Sequence, residues 1–315
     1  MNLKNSNILI TGGLGFIGSN LAIRLLELGA KVTIVDSLIP EYGGNLMNIK
    51  GYEKKLNINI SDIRDEYSIN QLIKGKDVLF NLAGQSSHQD SMINPLIDLD
   101  INSKSQLILL EACNKNNKNI HIVYASTRQI YGKPIYLPVD EKHPVNPIDI
   151  NGINKLSAEY FHTLYNNIYG IKCCILRLTN TYGPRMRIKD ARQTFLGIWI
   201  KNILLGQPIK VFGKGNQLRD FTYVDDAVNA LILSVDNNKI FGRVFNIGGD
   251  EVISLNKLAE MLIKINGSGV YKNIIFPKER KQIDIGDYYS NYALFNKVTN
   301  FKPKIKLANG LAKTL

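Results

Sequence analysis

Thr11-Gly-Gly-Leu-Gly-Phe-Ile-Gly18 stands directly behind the apolar run Ile8-Thr11 and opens a stretch of helical periodicity, Gly15-Leu28. Strand, glycine-rich turn and helix in that order set Gly12, Gly15 and Gly18 where backbone must approach a pyrophosphate lying at a helix N-terminus. The next strand-like run, Lys31-Asp36, ends in a carboxylate 21 residues after Gly15. A carboxylate there accepts hydrogen bonds from an adenosine ribose and repels a 2′-phosphate, which points to NAD rather than NADP.

Outward from this turn, Val78-Leu82, Ile120-Ala125 and Lys172-Leu178 read as further strands, and Pro95-Cys113 and Gly152-Tyr169 as helices. Their alternation predicts an α/β fold, a doubly wound parallel sheet with helices on both faces. After Leu178 the pattern changes to loops, including Tyr182-Gly183-Pro184 and Gly213-Lys214-Gly215-Asn216, and then to shorter elements. The expected division is a dinucleotide-binding domain over 1–178 and, over 179–315, mainly a smaller α/β substrate lobe, with some later segments returning to the first domain.

The 315 residues are 44% hydrophobic and 21% charged, a composition that buries a sizeable core and excludes a disordered chain. No apolar stretch reaches the roughly 18 residues that would span a bilayer, and the beginning lacks the stages of a signal peptide, so a soluble, cytoplasmic protein without membrane contact is expected. Cys113, Cys173 and Cys174 have no metal-ligand spacing; buried structural thiols and no metal are expected. The net charge of +12 is uneven, with 18 Lys and Arg against 16 Asp and Glu in residues 1–180 and 21 against 11 in residues 181–315. The excess is scattered singly, without the basic helix or aromatic ladder that follows a polynucleotide, so a small polyanion suits it and nucleic acid does not.

The glycine spacing GxxGxxG resembles the extended short-chain dehydrogenase/reductase family, specifically its nucleotide-sugar epimerases and dehydratases of the UDP-glucose 4-epimerase-like kind, and the resemblance runs through essentially the whole chain. It implies a Rossmann-type sheet and a cofactor set made of Gly12, Gly15, Phe16, Ile17, Gly18 and Asp36, joined by several later matches. Asp62 and Ile63 in Ser61-Asp-Ile-Arg-Asp65 match the pair that contacts adenine in that family. Asn81-Leu-Ala-Gly-Gln85, ending in Ser91, resembles its LAAQxxVxxS segment, which brings in Leu82, Ala83 and, on the substrate side, Gln85. Asn102 falls on an asparagine of the following helix. Leu82-Ala-Gly84 is also, on its own residues, a small strand exit that lets a cofactor approach the backbone.

In Ala125-Ser-Thr127-Arg-Gln-Ile-Tyr131-Gly132 the family's catalytic hydroxyl falls on Thr127, and Tyr131 belongs to its Tyr-Gly pair with a structural part. Glu141, Pro144 and Pro147 match the spacing ExxPxxP, and the same register lays Asn151-Gly-Ile-Asn-Lys155 on YxxxK. The resemblance thus implies a site of Thr127, Lys155 and Asn151, with Asn151 where relatives carry tyrosine and Lys155 on the nicotinamide ribose. A carboxamide can orient a hydroxyl but cannot take its proton. Lys155 with a lowered pKa is one replacement base; His88, His143 and Asp149 are others.

Dehydratases of the family place Asp-Glu after the threonine, whereas this chain has Arg128-Gln129. Epimerisation by transient oxidation to a keto sugar and hydride return therefore ranks first, with a dehydratase or other keto-sugar-forming enzyme, and a catalytically silent binder of NAD and nucleotide sugar, as alternatives. In the second lobe, Leu176-Arg-Leu-Thr-Asn180-Thr-Tyr-Gly-Pro-Arg185 and Val211-Phe212-Gly-Lys-Gly-Asn-Gln-Leu-Arg219-Asp220 resemble LRxxNxYGPR and VxGxGxQxRD. They imply a nucleotide-diphosphate sugar bound by Asn180, Val211, Phe212 and Arg219, with Arg280 as a second diphosphate clamp. The segment Ile188–Trp199 is where such enzymes tune the sugar pocket, and a homodimer through two helices, Gly152-Tyr169 among them, is a further expectation from the resemblance.

Overall fold

The strands β1 (Asn7–Thr11), β2 (Lys31–Asp36), β3 (Asn57–Ile60), β4 (Val78–Asn81), β5 (His121–Thr127) and β6 (Cys173–Leu178) lie parallel in one sheet in a computed structural model that describes residues 3–235 and 237–315. Apart from Asn7, Lys31 and three positions in β5, the residues of β1, β2, β4, β5 and β6 are buried, because helices cover both faces of a parallel sheet. The chain continues through β7 (Asn180–Tyr182), β8 (Ile209–Phe212), β9 (Leu218–Tyr223), β10 (Arg243–Ile247), β11 (Val252–Ser254) and β12 (Tyr271–Ile274). Strand β10 returns to the main sheet beside β6, giving the order β10-β6-β5-β4-β1-β2-β3. The order reverses between β1 and β4, the point at which a doubly wound sheet opens a crevice at its carboxyl ends. Beyond it, β11-β9-β7 and β12-β8 form two small sheets.

One hydrophobic core runs through both parts, joining Ile8 and Ile10 of β1 to Leu178, Leu258 and Leu311. All three cysteines are buried and unpaired, and burial pushes the Cys174 thiol up to about 12. Among the described residues no helix is long and apolar enough to cross a membrane.

Two elements depart from expectation. β5 runs on to Thr127, because Ser126 and Thr127 still pair with Arg177 and Leu178 of β6. The helix expected over Pro95-Cys113 is interrupted: Pro95–Leu99 passes into a wide π turn, Asp100–Lys104, before Ser105–Asn116 resumes the α form. The amide of Asn102, in that wide turn, donates to Asp98 Oδ2 at 3.0 Å and to the carbonyl of Gln85 at 2.9 Å.

Candidate active site

The glycine turn has no room for side chains. Gly12 has φ +69°, and a Cβ there would lie 2.9 Å from the backbone nitrogen of Ala83; on Gly18 it would meet the Gly12 carbonyl at 2.2 Å. The helix Phe16–Glu27 begins at Gly15 without a side-chain cap, so the first N–H groups remain for an anion. Thr11 fixes the neighbouring strand exit: its Oγ1 donates to Asn81 Oδ1 at 2.8 Å and accepts from the Leu82 and Ala83 nitrogens.

Gly12, Gly15, Phe16, Ile17 and Gly18 line one end of a cavity of about 420 Å³, with Asp36, Asp62, Ile63, Leu82 and Ala83 along its floor. Asp36 accepts from the Leu14 and Leu38 nitrogens at 3.0 and 2.9 Å, while burial raises its pKa. Asp62 is held below the usual carboxylate range by Arg64, whose Nη2 lies 2.7 Å away. This cradle fits a dinucleotide: close backbone, free helix N–H groups and a carboxylate at the end of β2. Asn102, expected among its contacts, does not line the cavity; it is buried behind Gly84, its Oδ1 without a partner. A Cβ on Gly84 would lie 2.8 Å from that oxygen and 3.0 Å from Lys155 Nζ, so the glycine leaves room for both groups beside it.

Thr127, Asn151 and Lys155 line the same cavity. The helix Ile150–Tyr169 that carries the last two starts at Asp149, whose Oδ1 caps the Gly152 nitrogen at 2.7 Å. Burial lowers the Lys155 pKa to about 8 against the pull of Asp98 and Glu159; its Nζ lies 3.4 Å from the Ala125 carbonyl and 5.0 Å from the centre of the Tyr124 ring. Asn151 is turned into the protein. Its amide nitrogen donates to the Gln85 carbonyl at 2.8 Å and to Asp98 Oδ2 at 3.2 Å. Asp98, not singled out from the sequence, is a buried carboxylate that also accepts from Asn102 and from Asn154 at 2.7 Å. Its spacing from Asn102, i and i+4, was the available signal.

A second buried network lies behind the lysine. Glu159 receives Arg177 through Nη2 at 2.6 Å and Nε at 3.0 Å, and Ser126 Oγ at 2.5 Å. Arg177 Nη1 donates to the Tyr131 hydroxyl, which donates in turn to Asn246 Oδ1, both at 2.7 Å. Tyr131 is thus built into the core, and burial pushes its phenol up to about 12.

Of the other proton carriers considered, His143 does not reach inward. It is buried in its own loop, with Nε2 accepting from the Ile135 nitrogen at 2.8 Å and Nδ1 on the Pro144 carbonyl at 2.7 Å. His88 does face the cavity, with Nδ1 3.1 Å from Asp149 Oδ2.

A second cavity, of about 800 Å³, adjoins the first and is lined by Phe212, Phe276, Arg219 and Arg280. Phe212 and Phe276 form an aromatic pair 5.4 Å apart, and the Arg280 guanidinium lies 5.2 Å over Phe212. Val211, expected beside Phe212, points the other way into the core, because successive residues of a strand face opposite sides. Gln85 also lies outside both cavities, its amide donating to the Ser87 carbonyl at 2.9 Å. Arg219 is buried, donating to the Leu218 and Gly286 carbonyls, and burial together with Arg128 lowers its pKa to about 10. Asn180 lines the first cavity and accepts from Arg128 Nη2 at 3.1 Å. The segment from Arg187 to Thr194 closes one side: Arg187 donates to the Pro40 carbonyl at 2.8 Å and Arg192 pairs with Asp90 at 2.8 Å.

Compared with known proteins, the profile of the NAD dependent epimerase/dehydratase family matches residues 8–248. A Methanocaldococcus jannaschii protein provisionally named a UDP-glucose 4-epimerase is 34% identical over 98% of this chain and 97% of that one. The structure of UDP-glucose 4-epimerase from Thermotoga maritima with UDP-glucose is 31% identical with a TM-score of 0.88, over 98% of this chain and 97% of that one. That of UDP-glucuronic acid 4-epimerase from Bacillus cereus with UDP-glucuronic acid and NAD is 29% identical with a TM-score of 0.87, over the same shares.

Proposed function

This chain belongs to the NAD dependent epimerase/dehydratase family and uses NAD, and on that premise we propose that it epimerises a nucleotide-diphosphate sugar by transient oxidation and re-reduction. Bound at the glycine turn, the nicotinamide supplies a reversible hydride acceptor. Thr127 would orient the sugar hydroxyl, and Lys155, buried beside Gly84 and with its pKa lowered to about 8, would hold the nicotinamide ribose. Phe212 takes the nucleobase, and Arg219, Arg280 and Asn180 take the diphosphate and sugar.

The observation that carries epimerisation over elimination is the fate of the two residues after Thr127. Gln129 donates its amide to Asp149 at 2.7 Å and Arg128 donates to Asn180, so neither supplies the acid and base that removal of water requires. A silent binding protein is the second reading, favoured by the amide of Asn151, whose nitrogen is engaged with Gln85 and Asp98 where the family's YxxxK register has a tyrosine.

Adding UDP-glucose, UDP-N-acetylglucosamine, UDP-glucuronic acid and dTDP-glucose to the NAD-loaded protein, while following reduced nicotinamide and separating products, tests this. A stereoisomer of unchanged mass is expected with one of them. A product lighter by one water would replace epimerase by dehydratase, and binding without any reduction would favour the silent protein.

We further propose a homodimer through the Ile150–Tyr169 helix. Ile153, Tyr160, Leu164 and Ile168 expose one apolar stripe along it, from 48% to 70% exposed, a pattern that water disfavours. Sedimentation velocity at micromolar concentration should give twice the chain mass, and Leu164→Glu should halve it; a monomer throughout would refute the dimer.

A further inference from the structure

A sugar carbon that gives up hydride must also see its hydroxyl proton taken by the protein. Asn151 cannot take it, being an amide already engaged with Gln85 and Asp98, and Lys155 Nζ sits by the Ala125 carbonyl on the cofactor side. The two cavities meet where His88, Arg128, Ala191, Phe195 and Arg280 line both. The reacting sugar has to lie at that junction, with nicotinamide on one side and nucleotide on the other. Of the five, only an imidazole both takes and returns a proton near neutral pH.

Behind the ring stands a carboxylate. His88 Nδ1 is 3.1 Å from Asp149 Oδ2, a charge-distance contact rather than an aligned hydrogen bond, and the Asp149 side chain is fully buried. Asp149 is fixed in place by the Gly152 nitrogen on Oδ1 and by Gln129 Nε2 on Oδ2, both at 2.7 Å. Burial pushes this carboxyl up, but His88, Gly152 and Gln129 together hold it below the usual carboxylate range. Gln129, which takes no part in elimination, thereby acquires a use: it fixes the carboxylate that stands against the ring.

We propose that His88, positioned by Asp149, is the acid-base residue of this chain, standing in for the tyrosine; this rests on the epimerase reading above. The balance is complete with oxidised nicotinamide as the only co-reactant. His88 Nε2 accepts the O–H proton while the C–H electron pair leaves the same carbon as hydride and C=O forms. On the return, hydride is delivered to the opposite face of the carbonyl, and imidazolium Nε2–H gives the proton back to oxygen. Charges of both signs surround the ring. Asp149 stands behind it, Arg128 and Arg280 line the same junction, Asp284 lines the second cavity, and Asp90 on the ring's own helix is paired with Arg192.

The test uses the NAD-loaded protein with whichever of the four sugars reduces its nicotinamide. His88→Ala should lower kcat by roughly 10²-fold or more with KM little changed, and added imidazole should restore part of it. Asp149→Asn should lower kcat less and move the pH dependence of kcat; His88→Gln serves if the alanine variant does not fold. Wild-type kcat in either His88 variant would overturn the proposal, as would an alanine variant that folds but is not rescued. If none of the four sugars is oxidised, the epimerase reading falls first. The pair is then judged by NMR titration of the His88 ring in wild type and Asp149→Asn, where a shifted midpoint upholds it and an unchanged one overturns it.

Discussion

Replacing Lys155 by methionine is expected to remove turnover and to make the cofactor-free protein more stable at neutral pH. Burial lowers the folded-state pKa of this lysine from 10.5 to about 8, with Asp98 and Glu159 only partly offsetting it. Keeping the ammonium charged in that place works against folding by about 3 kcal/mol near neutral pH. The sign follows from proton counts: between about pH 8 and about pH 10.5 the unfolded chain binds more protons than the folded one, so this group makes stability rise with pH across that window. Methionine occupies similar volume without charge but forfeits the contacts with the Ala125 carbonyl and the Tyr124 ring, so a net gain of about 1 to 3 kcal/mol is expected. If Lys155 holds the nicotinamide ribose as proposed, losing that contact and its positive charge should lower kcat by about 10³-fold. Urea unfolding of both proteins at about pH 7 and about pH 9.5 decides it. Because the buried cysteines lower the stability of both proteins alike as pH rises, the difference between them isolates the lysine: a variant less stable than wild type at the lower pH, or an advantage of the variant that does not shrink between the two, would count against this account.

Breaking the buried pair behind that lysine should have the opposite effect on stability. Arg177 reaches Glu159 through two nitrogens and also supplies Tyr131, which holds Asn246 on β10, so the pair ties β6, the helix Ile150–Tyr169 and the returning strand together. Both side chains are less than one-tenth exposed, at 7% and 3%. Removing one partner strands the other charge away from water, and Arg177→Met or Glu159→Gln should each lose about 3 to 5 kcal/mol. Arg177→Met has a second consequence. Glu159 is one helical turn from Lys155 and already pulls its pKa upward; freed of the arginine, it should pull harder and keep the ammonium charged. The double variant Glu159→Gln with Arg177→Met should lose clearly less than the sum of the single changes, since no unpaired charge remains. Equilibrium urea unfolding of the three proteins measures this, and single losses under about 1 kcal/mol would show the pair to be dispensable.

Much of the fold was legible along the chain because it is written in local patterns. The apolar runs at Ile8, Lys31, Val78 and Cys173 are strands because a parallel sheet covered on both faces demands continuous apolar residues. Gly12 and Gly18 announce the dinucleotide turn because a Cβ at either would strike backbone, a constraint that any reading of glycine spacing can detect. Phe212 and Val211 show where such reading stops. A motif names both, but only the orientation of β8 decides that one faces the cavity and the other the core.

What tertiary structure alone decided is which polar groups meet. Asp98 is joined by Asn151 and Asn154 from 53 and 56 positions away, and His88 is set against Asp149 across the start of another helix. Neither partnership has a periodicity or a spacing of its own, since it depends on how a wide helical turn, a strand exit and a helix N-terminus come together in space. The sequence by itself determined the sheet, the glycine cradle and the presence of Lys155 beside it. Packing determined that the amide at position 151 faces inward and an imidazole faces the junction, because buried polar groups take whichever partner the assembled elements bring within hydrogen-bond reach.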